Sequence, residues 1–147
     1  MTASAQPEHV PVARWSQRAR DLHDQGYAVF DALIVWPTNG SLTARLQVRQ
    51  PAGEAHGIQT EVAEGEALPS LTPVYPGAAW PEREAAEMLG LRVSGFDDGT
   101  ELGVRPLLLL PAEAGMPLRP EFQLTARVET PWPGRPTSDR PARGGRP

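Results

Sequence analysis

The chain contains no cysteine and no lysine. Without cysteine there is no disulfide scaffold, thiolate nucleophile, iron–sulfur ligand or thiolate zinc site, and a cytosolic compartment is expected. Without lysine there is neither a Schiff-base amine nor the ammonium of a phosphate-binding loop. All 14 basic residues are arginine, a bias that genomic base composition explains without a functional cause. Long apolar runs are missing too, since none approaches the roughly 20 residues that span a bilayer. The opening MTASAQPEHV lacks the basic region and apolar stretch of a secretory signal. Positive charge is outnumbered, 14 basic against 18 acidic residues for a net charge of −4, which argues against a general nucleic-acid binder. The three histidines, His9, His23 and His56, lie in separate segments with no carboxylate at ligand spacing.

What is present fits one domain. With 147 residues, 39% hydrophobic and 22% charged, the chain closes one core and not two. Residues 1–10 read as a loose N-terminus, 11–130 as the folded domain, and 131–147, rich in proline, glycine and arginine, as a disordered tail. Val12, Trp15, Ala19 and Leu22 recur at three- and four-residue steps, the stripe of an amphipathic helix that Gly26 stops. Arg14, Arg18 and Asp21 form its solvated face. YAVFDALIVW (27–36) is apolar on both parities, which predicts a strand covered on both sides. Asn39-Gly40 marks a hairpin. LTARLQVR (42–49) alternates, with Leu42, Ala44, Leu46 and Val48 inward and Thr43, Arg45, Gln47 and Arg49 outward. A turn around Pro51-Ala52-Gly53 precedes a weaker strand, Gly57 to Ala63, completing a three-stranded meander behind one helix.

Ser70 to Tyr75 admits at most a short helix, limited by Pro73 and Pro76. A firm helix is expected from Pro81, whose missing N–H is an orphan donor in any first turn, to a cap at Gly90. Glu82 and Glu84 in its first turn suit the positive helix end, at about 0.3–1 kcal/mol each when exposed. VRPLLLLP (104–111) reads as a strand with Pro106 in an edge or lead-in half. FQLTARV (122–128) places Phe122, Leu124, Ala126 and Val128 on one side, an extended arm with one apolar face.

Catalytic patterns are hard to find. Glu84 and Glu87 are three apart, but the histidine of a di-iron Glu-x-x-His motif is missing. Ser41, Ser70, Ser94 and Ser138 have no glycine elbow and no evident partner histidine. Arg83 and Glu87, at i and i+4, read as a salt bridge. Trp80, Glu84, Met88 and Leu91 fall on one helix side, so Glu84 is expected among large apolar groups, where a carboxylate needs an arginine or backbone donors. Its partner is Arg105 or Arg119, or a residue of a neighbouring protein; internal and intermolecular pairing are equally open.

The segment Trp80-Pro81-Glu82-Arg83-Glu84-Ala85-Ala86-Glu87-Met88-Leu89-Gly90-Leu91 has a lead-in, Pro69-Ser70-Leu71-Thr72. It is followed by Arg105 before a leucine run to Pro111, by Glu113, and by Gly115-Met116-Pro117-Leu118-Arg119-Pro120-Glu121-Phe122. In this order, over residues 69–128, the landmarks resemble the C-type (30 kDa-type) subunit family of respiratory complex I, the proton-pumping NADH–quinone oxidoreductase. Two departures stand out. Gly95-Phe96-Asp97 replaces the family's Gly-His-Pro turn and is followed by an acidic insertion, Asp98 to Gly103; Pro120 stands where a lysine is common.

The resemblance implies an α/β (α+β) two-layer sandwich, a mixed sheet with helices on one face and an extended C-terminal arm; the residue-level reading of one helix, a meander, a second helix and a late strand agrees. It also implies a non-catalytic scaffold subunit of the hydrophilic arm, peripheral on the cytoplasmic side of the membrane. Members of the family dock onto the quinone-site (D-type) subunit, with the B-type and I-type subunits nearby, and support electron transfer to quinone coupled to proton translocation. The chain is expected to bind no cofactor or metal; NADH, FMN, iron–sulfur clusters and quinone belong to partner subunits. Trp80 is expected to be a packing anchor, burying about 150–250 Å², while Glu82, Arg83, Glu84 and Glu87 tie the helix to the quinone-site subunit. Arg119 and Phe122 are assigned to the strap, and Gly90, Arg105, Pro117 and Leu118 to the supporting frame. The alternatives are the equivalent subunit of a complex I-related membrane-bound hydrogenase, a stand-alone small-ligand-binding domain with a closed polar pocket, or a non-functional remnant.

Overall fold

The computed structural model describes residues 6–108 and 115–124. Its organising element is the cleanly alternating strand β3 (Ser41–Arg49), flanked antiparallel by β2 (Val29–Thr38) and β4 (Ala55–Val62). Asn39 and Gly40 join β2 to β3 with φ of 42° and 87°, the left-handed pair that matches the twist of a two-residue hairpin. Leu33, Leu46 and Ile58 stand in one cross-strand row and Val35, Ala44 and Thr60 in the next, so one face of the sheet is apolar. A short β1 (Glu8–His9) adds in parallel to β4, giving a mixed sheet of order β1-β4-β3-β2.

The stripe read from Val12 becomes a 3-10 turn (Val12–Arg14) running into α1 (Trp15–Asp24). Trp15, Ala19 and Leu22 are wholly buried in the cluster that also holds the sheet's apolar face. Gly26, at φ 97°, ends this element. A second unit follows, β5 (Ala67–Pro69), a 3-10 turn (Pro76–Ala78), α2 (Ala79–Leu89) and β6 (Arg92–Ser94), with β5 and β6 parallel. Tyr75 fastens this unit to the first. Its hydroxyl donates to Tyr27 O at 2.8 Å, and burial pushes its pKa up to about 12. The result is a two-layer sandwich, a mixed sheet with helices packed against it.

Several expectations need correction. β2 is not covered on both faces, since Ile34 is 54% exposed, and among the described residues it stands at one end of the sheet order. A bulge between Phe30 and Ala32 shifts the register, bringing Phe30 opposite Val48 but Ala32 opposite Gln47, and beyond it Leu33 and Val35 alternate with Ile34 and Trp36 on opposite faces. The N-terminus is not loose at Glu8–His9, because Val10 N–H donates to Gln59 O and Glu8 accepts from Arg18. Arg18 is therefore paired rather than simply solvated. Thr43 faces outward in register with Trp36 yet is buried, bonded to the Thr38 hydroxyl at 2.8 Å. α2 begins two residues before Pro81, which a proline in the third position tolerates because the first four helical N–H groups lack intrahelical acceptors. Residues 104–108 form no strand, and β5 and β6 are too short to have a sequence period. Leu109 to Pro111, Glu113, Ala126, Val128 and the 131–147 tail lie outside the described residues.

Candidate functional site

Three other sequence landmarks converge on α2. Glu82 is the buried member of its acidic cluster, at 1% exposure. Its Oε2 accepts from Ser70 Oγ and its Oε1 from Leu71 N–H, both at 2.6 Å. Ser70 and Thr72 hydroxyls lie 2.8 Å apart, and Thr72 Oγ1 accepts Asp97 N–H at 2.9 Å. The Pro69-Ser70-Leu71-Thr72 lead-in is thus the cradle for the first glutamate of the helix. Burial raises the Glu82 pKa, opposed by the bonds from Leu71 and Ser70. A buried carboxylate is tolerable when its lone pairs are filled, and here hydroxyl and amide donors fill them without an arginine.

The next two charged residues reach the segment beyond the acidic loop. Arg83 donates through Nε to Arg105 O at 3.0 Å and through its terminal nitrogen to Pro106 O at 2.7 Å. Glu87 Oε2 accepts the N–H groups of Leu107 and Leu108, both at 2.7 Å. Arg105 itself pairs with Asp98 at 2.6 Å, so the inserted loop is tied back to the same place. At the helix end Gly90 is left-handed, at φ 73°, with Gly90 N–H donating to Ala86 O and Leu91 N–H to Ala85 O, so that an αL cap occupies terminal carbonyls. Residues 115–122 close over it. Leu118 N–H donates to Met88 O, Arg119 Nε to Leu89 O at 2.6 Å, and a Cβ on Gly90 would stand 2.5 Å from Met116 Sδ.

The expected burial of Glu84 between large apolar groups is overturned. Glu84 is exposed and Trp80 is 69% exposed, whereas Met88 and Leu91 are in the core. Positions aligned on one stripe of this helix therefore do not share one environment. Of the acidic cluster, Glu82 and Glu87 are bonded within the chain, Glu82 to the Ser70 hydroxyl and the Leu71 amide and Glu87 to the Leu107 and Leu108 amides, whereas Glu84 is exposed. Arg105 and Arg119 do not meet Glu84. Pro117 is half-buried and Phe122 packs against Gly115. Ser70 and Thr72 are the residues that sequence reasoning missed as partners; only their adjacency to the proline lead-in marked them.

A second polar cluster lies at the N-terminal side. Arg18 donates to Glu8 at 2.7 Å and His56 Nε2 lies 3.3 Å from the same carboxylate, while Tyr27 donates to Glu54. The Arg18 bond holds the Glu8 carboxyl below its ordinary pKa. Among the described residues no group of three or more histidine, aspartate and glutamate side chains is placed to hold a metal ion, and no helix is long and apolar enough to cross a membrane.

Comparison with known proteins places these features. The family model of the respiratory-chain NADH dehydrogenase 30 Kd subunit matches residues 9–128. The C subunit of NADH-quinone oxidoreductase from Agrobacterium fabrum is 44% identical over 72 residues, which cover 49% of this chain and 34% of that protein. Its counterpart from Sinorhizobium medicae is 42% identical over 72 residues, covering 49% and 33%. The matched stretch thus spans about a third of the length of these relatives. A chain in the structure of the membrane-bound sulfane sulfur reductase, an archaeal respiratory membrane complex, has a TM-score of 0.66 at 17% identity, over 86% of this chain and 85% of that one. That likeness is one of fold.

Proposed function

The chain belongs to the respiratory-chain NADH dehydrogenase 30 Kd subunit family, and from that membership we propose that it is a non-catalytic scaffold subunit in the hydrophilic arm of a complex I-like NADH–quinone oxidoreductase. In this reading it docks on the quinone-site (D-type) subunit, with the B-type and I-type subunits nearby, peripheral on the cytoplasmic side of the membrane. NADH, FMN, iron–sulfur clusters and quinone are held by partner subunits of the assembly, and this chain supports electron transfer by holding its neighbours in place.

The observation that carries the proposal is the division of labour on α2. Glu82, Arg83 and Glu87 are bonded to segments 70–71 and 105–108, through backbone groups and the Ser70 hydroxyl, which makes the helix a rigid platform. Trp80 and Glu84 are left on its outer side. An indole exposed on a rigid helix is the kind of anchor that enriches protein interfaces. Arg119 and Phe122 fix the root of the arm that straps the neighbour.

The test is affinity purification of the tagged full chain from native membranes, followed by mass spectrometry. The quinone-site subunit is expected to co-purify. Glu84→Ala is expected to weaken its recovery more than Glu61→Ala, an exposed β4 residue whose neighbour is Ser41. Equal effects, or a chain recovered without oxidoreductase subunits, count against the reading.

A further inference from the structure

The two sides of the main sheet are treated differently. β4 is partly covered by β1, at Ile58 and Gln59, whereas β2 has a neighbouring strand on one side only among the described residues. An edge strand offers a row of unpaired N–H and C=O groups and is normally blunted by charge, proline or a bulge. In β2 the bulge lies beside Asp31 and the proline is Pro37, so the stretch between them, Ala32 to Trp36, is uncharged.

A groove of about 190 Å³ follows that stretch, with Leu33, Ile34 and Val35 on one wall and Pro81 and Glu84 of α2 on the other. Successive side chains of a strand point to opposite faces. A hollow that touches both parities therefore runs along the edge of β2 and not across one face. Its lining is apolar except for Glu84, which has no hydrogen-bond or ionic partner among the described residues.

We infer that this groove receives an extended segment of a partner protein as an added strand on β2, with alternate apolar side chains against Ile34 and α2 and an arginine or lysine opposite Glu84. The inference rests on the assembly reading above. The unpaired backbone selects an extended occupant, because only a strand uses both its donors and its acceptors. The lone carboxylate on an apolar wall selects a cationic one. A second copy, paired symmetrically through β2, would bring its own Glu84 and a further net charge of −4. The chain's own continuation is not held there in the described residues; Leu118 lines the groove, but Leu124 is 87% exposed.

Hydrogen–deuterium exchange over Ala32 to Trp36 tests this, in the isolated full chain and in the detergent-extracted assembly. Exchange is expected to slow by about tenfold or more in the assembly only. Glu84→Arg and Ile34→Asp, at exposed positions, are expected to lower co-purification about tenfold while the thermal midpoint of the isolated chain holds. Protection already complete in the isolated chain assigns the edge to its own segment and overturns the inference. Protection that grows with concentration of the isolated chain assigns it to a second copy and does the same. A wild-type chain that fails to co-purify sinks the assembly reading together with this one; co-purification with β2 amides still unprotected sinks this one alone.

Discussion

Glu82 occupies a place where water is almost excluded, and its charge is carried by two short bonds from neutral donors, Ser70 and the Leu71 amide. Removing the carboxylate leaves Leu71 N–H buried without an acceptor, while Ser70 keeps Thr72. Glu82→Ala is therefore expected to destabilise by about 1–3 kcal/mol in urea unfolding at neutral pH. Glu82→Gln, which preserves an acceptor for Leu71, should cost less. The pH dependence has a definite sign. Burial raises the folded-state pKa above the ordinary 4.5, so between the two values the native state holds a proton that the unfolded chain has released. Stability from this group falls as pH rises through that window and is level above it. Glu8 acts oppositely, since its pKa is lowered by Arg18; its contribution is present above the ordinary value and lost as pH falls. Unfolding of the Glu82→Gln chain across that range should lack the downward slope and keep the Glu8 one. An unchanged slope would show that Glu82 is not the group responsible.

On the scale of one element, α2 is terminated by a glycine that faces two separate demands. Gly90 is left-handed at φ 73°, and Met116 is packed where a Cβ would go, whereas Gly95, at φ 69°, has open space around its Cβ position. A left-handed backbone costs an L-residue about 1–2 kcal/mol, and Gly95→Ala should show roughly that loss in thermal unfolding. Gly90→Ala should lose more, because the 115–122 segment must also shift. Equal losses would mean that Met116 moves aside freely. The same element explains why its motif has this spacing. Glu82 faces the lead-in, Arg83 and Glu87 face 105–108, and the helix end meets 116–119. The motif positions are where one helix must bind three pieces of irregular chain, whose backbone groups have no strand or helix partners of their own.

For the whole molecule, the exposed indole separates self-stability from assembly. Trp80→Ala is expected to leave the unfolding free energy of the isolated chain within about 0.5 kcal/mol, as for an exposed position, yet to reduce recovery of the quinone-site subunit. A large loss of stability with intact recovery would reverse its assigned role. Legibility in the sequence varied with how local each feature is. The α1 stripe, the Asn39-Gly40 hairpin, the β3 alternation and the Gly90 cap depend on neighbours within a few residues, and all appear where the residues put them. The short β5–β6 pair, the edge position of β2 and the burial of Glu82 in place of Glu84 depend on contacts across 11 or more residues. No periodicity reports those.

The order of residues by itself determined the meander, the two helices and the landmarks of the family, because backbone propensity, turn chemistry and apolar spacing are properties of short windows. Tertiary structure alone decided which glutamate is buried, which partners satisfy it, and that among the described residues one edge of the sheet runs beside a carboxylate with no partner. Those depend on how the helix is rotated and seated against the sheet, which follows from packing the whole core together.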